Sequence, residues 1–536
     1  MPAPSGGGLF AAMSSPVSHS GELDSSPQAR PSPLRELFSL AWPTVLTMTS
    51  YTAMQFVDAL MVSRVGSLEL AAQGNGGLAT FTPLSFLMGV LTMVNTYVSQ
   101  NLGAGRPRQA PRFAWAALWM SAFGWALLLP YAFSMRLIFS RLGHSAELVE
   151  LETQYGQILM FGCFLILMSR GLNHFFYGLH RPKVVFVATI TGNVINVFGN
   201  WVLIFGHLGA PKLGIEGAAI ATVIGTAVEL LIPLAMFLGS KMHAELGTRD
   251  AWRPDWRAMR QLWSVGWPRG LTFGNEMVCW SVFMIYLIGT FGEAHNAAGW
   301  IALRYMHLSF MPAVGISVAV TALVGRYIGA GQPDIANQRA WLGVRCAMLY
   351  MGTCALIFVL FRGPLAGVLI KDTDPNAEQI LSIATKLLIC AAVFQLFDAL
   401  AITLSGALSG AGDTVWPGMA TMITSWTFIV GGGFAFVTWW RELESLGPWI
   451  GAAAFIIALG VAFLWRWTSG RWRSIRLLDP AADEAALTGG ETVAVPDVDP
   501  ASGPLADRVM ATSARREAPG DEGDEIERET TVAGSP

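Results

Sequence analysis

Gln100-Asn101-Leu102-Gly103-Ala104-Gly105-Arg106-Pro107 and Arg326-Tyr327-Ile328-Gly329-Ala330-Gly331-Gln332-Pro333 are two copies of one segment, 226 positions apart (329 − 103). Trp115 and Trp341 keep that offset, as do Ala71-Ala72 and Ala297-Ala298, whereas Trp42-Pro43 and Trp267-Pro268 lie 225 apart, so one insertion or deletion separates two registers. The chain is a duplication, and an internal repeat of this length governs the reading of the whole fold. Composition says what the repeated unit is made of. Of the 536 residues 53% are apolar and only 13% charged, with a mean hydropathy of +0.47. Soluble domains carry roughly one-quarter charged residues, so lipid is the main solvent of this chain.

Crossing the hydrocarbon core takes about 20 mostly apolar residues. Twelve segments qualify, at about 37–62, 74–99, 113–139, 153–179, 183–206, 216–239, 262–291, 297–323, 340–361, 380–410, 415–439 and 448–468. The expected fold is all-α, with twelve transmembrane helices in two lobes, residues 35–240 and 262–469. Six spans per copy is an even number, so both copies enter the membrane from the same side and are related by a pseudo-two-fold axis along the membrane normal. Arg106, Arg108, Arg112, Arg181, Lys183, Lys241, Arg249, Arg253, Arg257, Arg260, Arg326 and Arg339 gather in the even-numbered connections, which places both termini in the cytoplasm. The connection at 241–261, with Trp252, Arg253, Trp256, Arg257 and Arg260, reads as an amphipathic segment lying in the lipid interface.

Residues 1–34 are rich in Ser, Pro and Gly and read as a disordered cytoplasmic leader; residues 470–536, dominated by Asp and Glu from Asp479 on, read as a disordered acidic tail. The net charge of −3 includes no basic run, so nucleic acid is not an expected partner. Five cysteines, Cys163, Cys279, Cys346, Cys354 and Cys390, lie inside apolar segments without CxxC or metal spacing and read as buried inert thiols. Prolines recur within spans, and the matched pair Pro43 and Pro268 suggests bending at equivalent places in both copies.

Three carboxylates lie deep in spans: Asp58 in the first, Glu276 in the seventh and Asp398 in the tenth. A charge there costs about 2.5–3.5 kcal/mol on insertion scales, which makes each a functional candidate. Binding an alkali cation through oxygens, or holding a proton, are the chemistries that suit such groups. Asn196 and Asn200, four apart on the fifth span, share a helix face and with Asp58 and Thr222 could form an oxygen cage, or could simply hydrogen-bond between helices. Glu229, Arg170, His174, Arg304, His307 and Lys386 are also within or near spans, with no individual role assigned.

Phe56-Val57-Asp58, the twin Gly-Ala-Gly turns, Asn196-Val197-Phe198-Gly199-Asn200-Trp201, the run from Gly206 to Thr222, Gly274-Asn275-Glu276, and Asp398 followed by Gly410-Ala411-Gly412-Asp413 occur in an order that resembles the multidrug and toxic compound extrusion (MATE) family, its NorM-type bacterial branch in particular. The resemblance covers about residues 35 to 470. It implies an exporter of organic cations and amphipathic drugs, driven by exchange for Na⁺ or H⁺ through alternating access. The resemblance puts the first-lobe ion site on Asp58, Asn196, Asn200 and Thr222, and the second-lobe acidic site on Glu276 and Asp398. Where some relatives place a tyrosine a turn before that aspartate, this chain has Phe394, one oxygen fewer. No cofactor is expected beyond the coupling ion, and the protein should be a monomer in a bacterial inner membrane. The alternative within the same superfamily is a flippase for lipid-linked precursors, whose pyrophosphate cargo calls for arginines, and Arg170 and Arg304 keep it open. HExxH, GxSxG and a paired catalytic His set are absent from the sequence, which argues against an enzyme.

Overall fold

The computed structural model describes residues 32–142, 144–370 and 376–478. The leader up to residue 31 and the tail from Asp479 lie outside these. The described residues form helices, turns and short connections, with no strand among them. Twelve long helices follow one another: α1 (Pro33–Ser63), α2 (Ser67–Gly103), α3 (Pro107–Arg141), α4 (Ala146–Gly178), α5 (Pro182–Phe205), α6 (Gly214–Leu238), α7 (Trp256–Phe291), α8 (Glu293–Gly329), α9 (Pro333–Leu360), α10 (Ala377–Ala411), α11 (Val415–Trp439) and α12 (Leu446–Thr468). Eleven of them are long and apolar enough to cross a membrane; α1, though 31 residues long, is not among the eleven. Its polar residues are turned inward: Thr44, Thr47 and Asp58 are buried while Leu46, Phe56 and Leu60 are exposed. At about 1.5 Å per residue, helices such as the 37-residue α8 exceed a hydrocarbon core of about 30 Å, which is why the observed helices overrun the apolar spans read from sequence.

Buried apolar side chains segregate by half. Two core clusters are drawn from residues 62–262, and a third from residues 279–472 together with Leu37, Leu40 and Ala41 of α1. So α1 begins in the core of the second half and ends, at Val62, in that of the first. Its start is tied across by Glu36, which takes a hydrogen bond from Tyr327 (2.7 Å) and an ion pair from Arg339 (2.7 Å).

The twin turns explain the packing between halves. A Cβ on Gly103 would sit 1.8 Å from the carbonyl oxygen of Arg326, and one on Gly329 would sit 2.0 Å from that of Gln100. Adding the repeat offset of 226 to 103 and 100 gives 329 and 326, so the two contacts are one contact seen from both sides of a pseudo-two-fold axis. Such backbone-on-backbone approach needs glycine, as small-residue interfaces between membrane helices do. Around it Gln100 donates to Gly410 O and Thr96 to Ser409 O, both at 2.9 Å, and Asn95 donates to Val318 O at 3.2 Å. The polar contacts between halves cluster at this end of the molecule, where the described chain begins and ends. Farther along, Gly270 packs on Phe86, and beyond them α2 and α7 part around a cavity of about 210 Å³ lined by Leu78, Thr82, Met277, Val278, Ser281 and Tyr286.

Three features depart from the sequence reading. Of the five cysteines only Cys163 and Cys279 are buried, whereas Cys346, Cys354 and Cys390 are partly exposed, because they lie on helix faces that the core does not fully cover. Residues 471–478 are folded rather than tail: Arg471–Ser474 forms a 3₁₀ turn that buries Trp472, stacked 4.2 Å from Trp467. And α7 and α11 each contain a π-helical stretch, Phe283–Ile288 and Ser425–Gly432. The α11 stretch is tied to the α-helical part of α7 by Asn275, which donates to Ser425 Oγ (2.9 Å) and accepts from Trp426 Nε1 (2.8 Å). Pro43 and Pro268 lie inside unbroken helices, and in both copies the threonine four residues on, Thr47 or Thr272, donates to the proline carbonyl.

Candidate functional site

In the first half, α1, α5 and α6 bring Asp58, Asn196, Asn200 and Thr222 into one hydrogen-bonded chain. The close approach of α5 and α6 depends on Gly225, whose added Cβ would lie 2.8 Å from the Cβ of Asn196. Asn200 Nδ2 donates to Asp58 Oδ1 at 2.6 Å and lies 3.4 Å from Asn196 Oδ1, and Asn196 Nδ2 donates to Thr222 Oγ1 at 3.3 Å. Asp58 is only 7% exposed, and both asparagines are buried still deeper. The Oδ1 of Asn200 is buried with no donor. A carboxylate beside an unfilled carbonyl oxygen, among further amide and hydroxyl oxygens, is an arrangement that a small monovalent cation would complete, or that a proton on Asp58 would relax.

In the second half, Glu276 on α7 and Asp398 on α10 are close enough to influence each other electrostatically without a hydrogen bond between them. Arg269 acts on Glu276 in the same way. Sequence reading passed over this arginine, although its seven-residue spacing from Glu276 puts both on one face of α7. Its Nη1 donates to Ser405 Oγ at 2.6 Å, and its guanidinium lies 5.5 Å from the Phe273 ring centre. Phe394 is fully buried in the apolar core, so position 394 contributes packing. Of the six residues chosen from sequence, four are therefore joined by hydrogen bonds in the first half, and the other two lie within electrostatic reach of each other in the second. Among the described residues, no group of three or more His, Cys, Asp and Glu is placed to hold a metal ion.

The sealed end carries a titratable group of its own. His180, between α4 and α5 at φ 61°, places Nε2 3.2 Å from Ala322 O. A carbonyl only accepts, so Nε2 carries the hydrogen, and Arg326 Nη1 lies 3.5 Å from Nδ1 on the other side. Burial, reinforced by the Arg326 charge, lowers the His180 pKa to about 4, which keeps the ring neutral at pH 7.

A duplicated bundle of membrane-crossing helices, with a buried Asp58 in one half, the half-buried Glu276 and Asp398 in the other and a cleft between them, is the architecture of a polytopic transport protein. The sequence profile of the MatE family matches residues 43–202 and again 276–432, one match per half, and the chain belongs to that family. It is 30% identical over 433 residues to a probable multidrug resistance protein NorM of Burkholderia pseudomallei, covering 80% of this chain and 91% of the relative. Among solved structures, a MATE crystal structure in the straight conformation superposes with a TM-score of 0.75 at 22% identity, over 83% of this chain and 98% of that one. A transporter of the MOP superfamily from Pyrococcus furiosus, described as having a binding pocket of reversed polarity, gives 0.76 at 21% identity, covering 83% and 98%.

Proposed function

We propose that this protein is a secondary active multidrug exporter that exchanges organic cations and amphipathic drugs for Na⁺ or H⁺ across a bacterial inner membrane, with both termini cytoplasmic. The observation that carries the reading is the Asp58 cage, a buried carboxylate tied to Asn200 beside an unfilled amide oxygen. The NorM name of its relatives supports drug cargo, and the acids Asp58, Glu276 and Asp398 in the two halves favour cationic cargo over the pyrophosphate of a flippase.

In this reading the structure corresponds to the state closed to the cytoplasm, because the halves meet at the end where α1 starts and α12 finishes. Drug reaches the cleft from the cytoplasmic side in the opposite state, held by apolar walls and carboxylate charge. Arrival of the coupling cation from outside satisfies Asp58 and the Asn200 oxygen, and the negative charge that held the cargo is spent on the ion. The ion expels cargo only as far as their binding free energies oppose each other. The test is efflux of a fluorescent organic cation from proteoliposomes under a Na⁺ gradient and, separately, a pH gradient. One gradient should drive efflux in the wild type, and Asp58→Asn should abolish it; gradient-driven efflux at the wild-type rate in that variant would remove Asp58 from the mechanism.

A further inference from the structure

A second carboxylate in the first half repeats the construction of the Asp58 cage. Glu229, on α6, is buried, and its Oε1 accepts from three helices: from the Tyr51 hydroxyl on α1, from Asn173 Nδ2 on α4 at 3.0 Å, and from the Thr189 hydroxyl on α5 at 3.0 Å. All three partners are neutral. Arg170 is near enough to act electrostatically on Tyr51 and Tyr177, yet it forms no ion pair with Glu229. A buried carboxylate whose direct hydrogen-bond partners are all neutral leaves its charge for a small cation to balance. Asn173 is 4% exposed, and having given its amide hydrogen to Glu229, its Oδ1 is buried without a partner. Asn200 stands in the same relation to Asp58. In both places a carboxylate takes the amide hydrogen of an asparagine whose carbonyl oxygen is left unfilled within the membrane.

The two groups are also connected. Tyr51 and Asp58 are seven residues apart on α1, and Thr189, Asn193, Asn196 and Asn200 recur at helical spacing on one face of α5, with Asn193 donating to Ser50 Oγ at 2.7 Å between the clusters. A polar seam therefore runs through the first half from Asp58 toward the sealed end, and Glu229 lies on it. We propose that Glu229, with the Asn173 carbonyl oxygen and the Tyr51 and Thr189 hydroxyls, is a second binding site for a small monovalent cation, Na⁺ or H⁺, placed between Asp58 and the cytoplasmic face. Na⁺ would coordinate the carboxylate reversibly, whereas H⁺ would form one O–H bond on binding and break it on release; no other bond changes. The site's burial excludes the bulk of an organic cargo. The proposal rests on the reading of Asp58 as a coupling site only for its role in transport, not for the binding itself.

The test counts cations bound by the purified full-length protein. One arm measures ²²Na⁺ at saturation, and the other measures protons taken up between pH 8 and pH 5 in weak buffer, each as the difference between wild type and variant. Glu229→Gln should lower the count by one per chain in one arm, Asp58→Asn likewise, and the double variant by two. Asn173→Ala, which keeps the carboxylate and its hydroxyl donors, should weaken the Na⁺ affinity of one site at least tenfold if sodium is the ion, and should shift that site's proton uptake to another pH if it is the proton. Monodisperse elution shows that each variant is folded. An unchanged count in Glu229→Gln, or an unaltered profile in Asn173→Ala should Glu229→Gln not fold, overturns the second site. A loss with Glu229→Gln but none with Asp58→Asn would overturn the reading of Asp58 and leave this one standing.

Discussion

Replacing Gly103 with alanine should unseat the closed end of the molecule, and the structure sets the size of the effect. The new Cβ would lie 1.8 Å from the Arg326 carbonyl oxygen, 2.7 Å from its carbon and 3.0 Å from the Ala330 nitrogen, all backbone atoms that no rotamer change can move. Real Cβ contacts essentially never fall below 3.0 Å, so α2 and α8 must separate by at least 1.2 Å (3.0 − 1.8) at this point. Transmitted to the next turns, that gap stretches the Gln100–Gly410 and Thr96–Ser409 hydrogen bonds from 2.9 to about 4.1 Å (2.9 + 1.2), past bonding distance. Losing two such bonds at about 1 kcal/mol each, with overpacking of about 1 kcal/mol or more, disfavours closure by about 3 kcal/mol, roughly a hundredfold in population. Spin labels at Arg108 and Gln332, both exposed at this end, should report it as a shift from one dominant short distance to a dominant longer one. Gly329→Ala should do the same, because its Cβ meets Gln100 O at 2.0 Å. The double variant should fall short of the sum, since the first gap already accommodates the second methyl. Wild-type distance distributions in both variants would refute the gate, and a shift in only one would refute the two-fold contact.

The His180 ring should make the same end sensitive to pH. Its pKa is about 4 when the halves are closed and near 6.5 once the ring is exposed, so protonation favours opening. Closure is fully stable above about pH 6.5 and weakens as pH falls toward 4, by about 2 kcal/mol at pH 5. The same labels should show opening at pH 5 that His180→Gln removes. At the start of α1, Arg339→Ala strands the largely buried Glu36 carboxylate and should lower unfolding stability by about 3 kcal/mol, measured by chemical denaturation in detergent. Glu36→Gln, which keeps a hydrogen-bond acceptor for Tyr327, should cost less than Arg339→Ala.

Much of the architecture was legible before any coordinates. Hydropathy marks spans because the bilayer demands them, and the duplicated Gly-Ala-Gly turns announce two related halves. Asp58, Glu276 and Asp398 stand out because charges are rare at such depth. The i, i+4 pair Asn196 and Asn200 could be put on one helix face, and the structure joins both to Asp58 and Thr222 by hydrogen bonds. Other parts were hidden. Arg269 sits near a span entrance, where an arginine ordinarily means an interface anchor, and only its approach to Glu276 gives it a second meaning. The π-helical stretches in α7 and α11 have no local signature, and the one in α11 begins where Ser425 and Trp426 bond to Asn275 of another helix.

Spans, their number, the repeat and the residue types available for ion chemistry follow from the chain alone, since they depend on local composition and on an offset that can be counted. Which glycine rests on which carbonyl, that α1 leans from one core into the other, and that Asn173 and Asn200 each leave a buried oxygen unfilled beside a carboxylate were decided by tertiary structure. Those facts concern atoms from helices distant in sequence, held within a few ångströms by packing, and periodicity within a single helix carries no information about them.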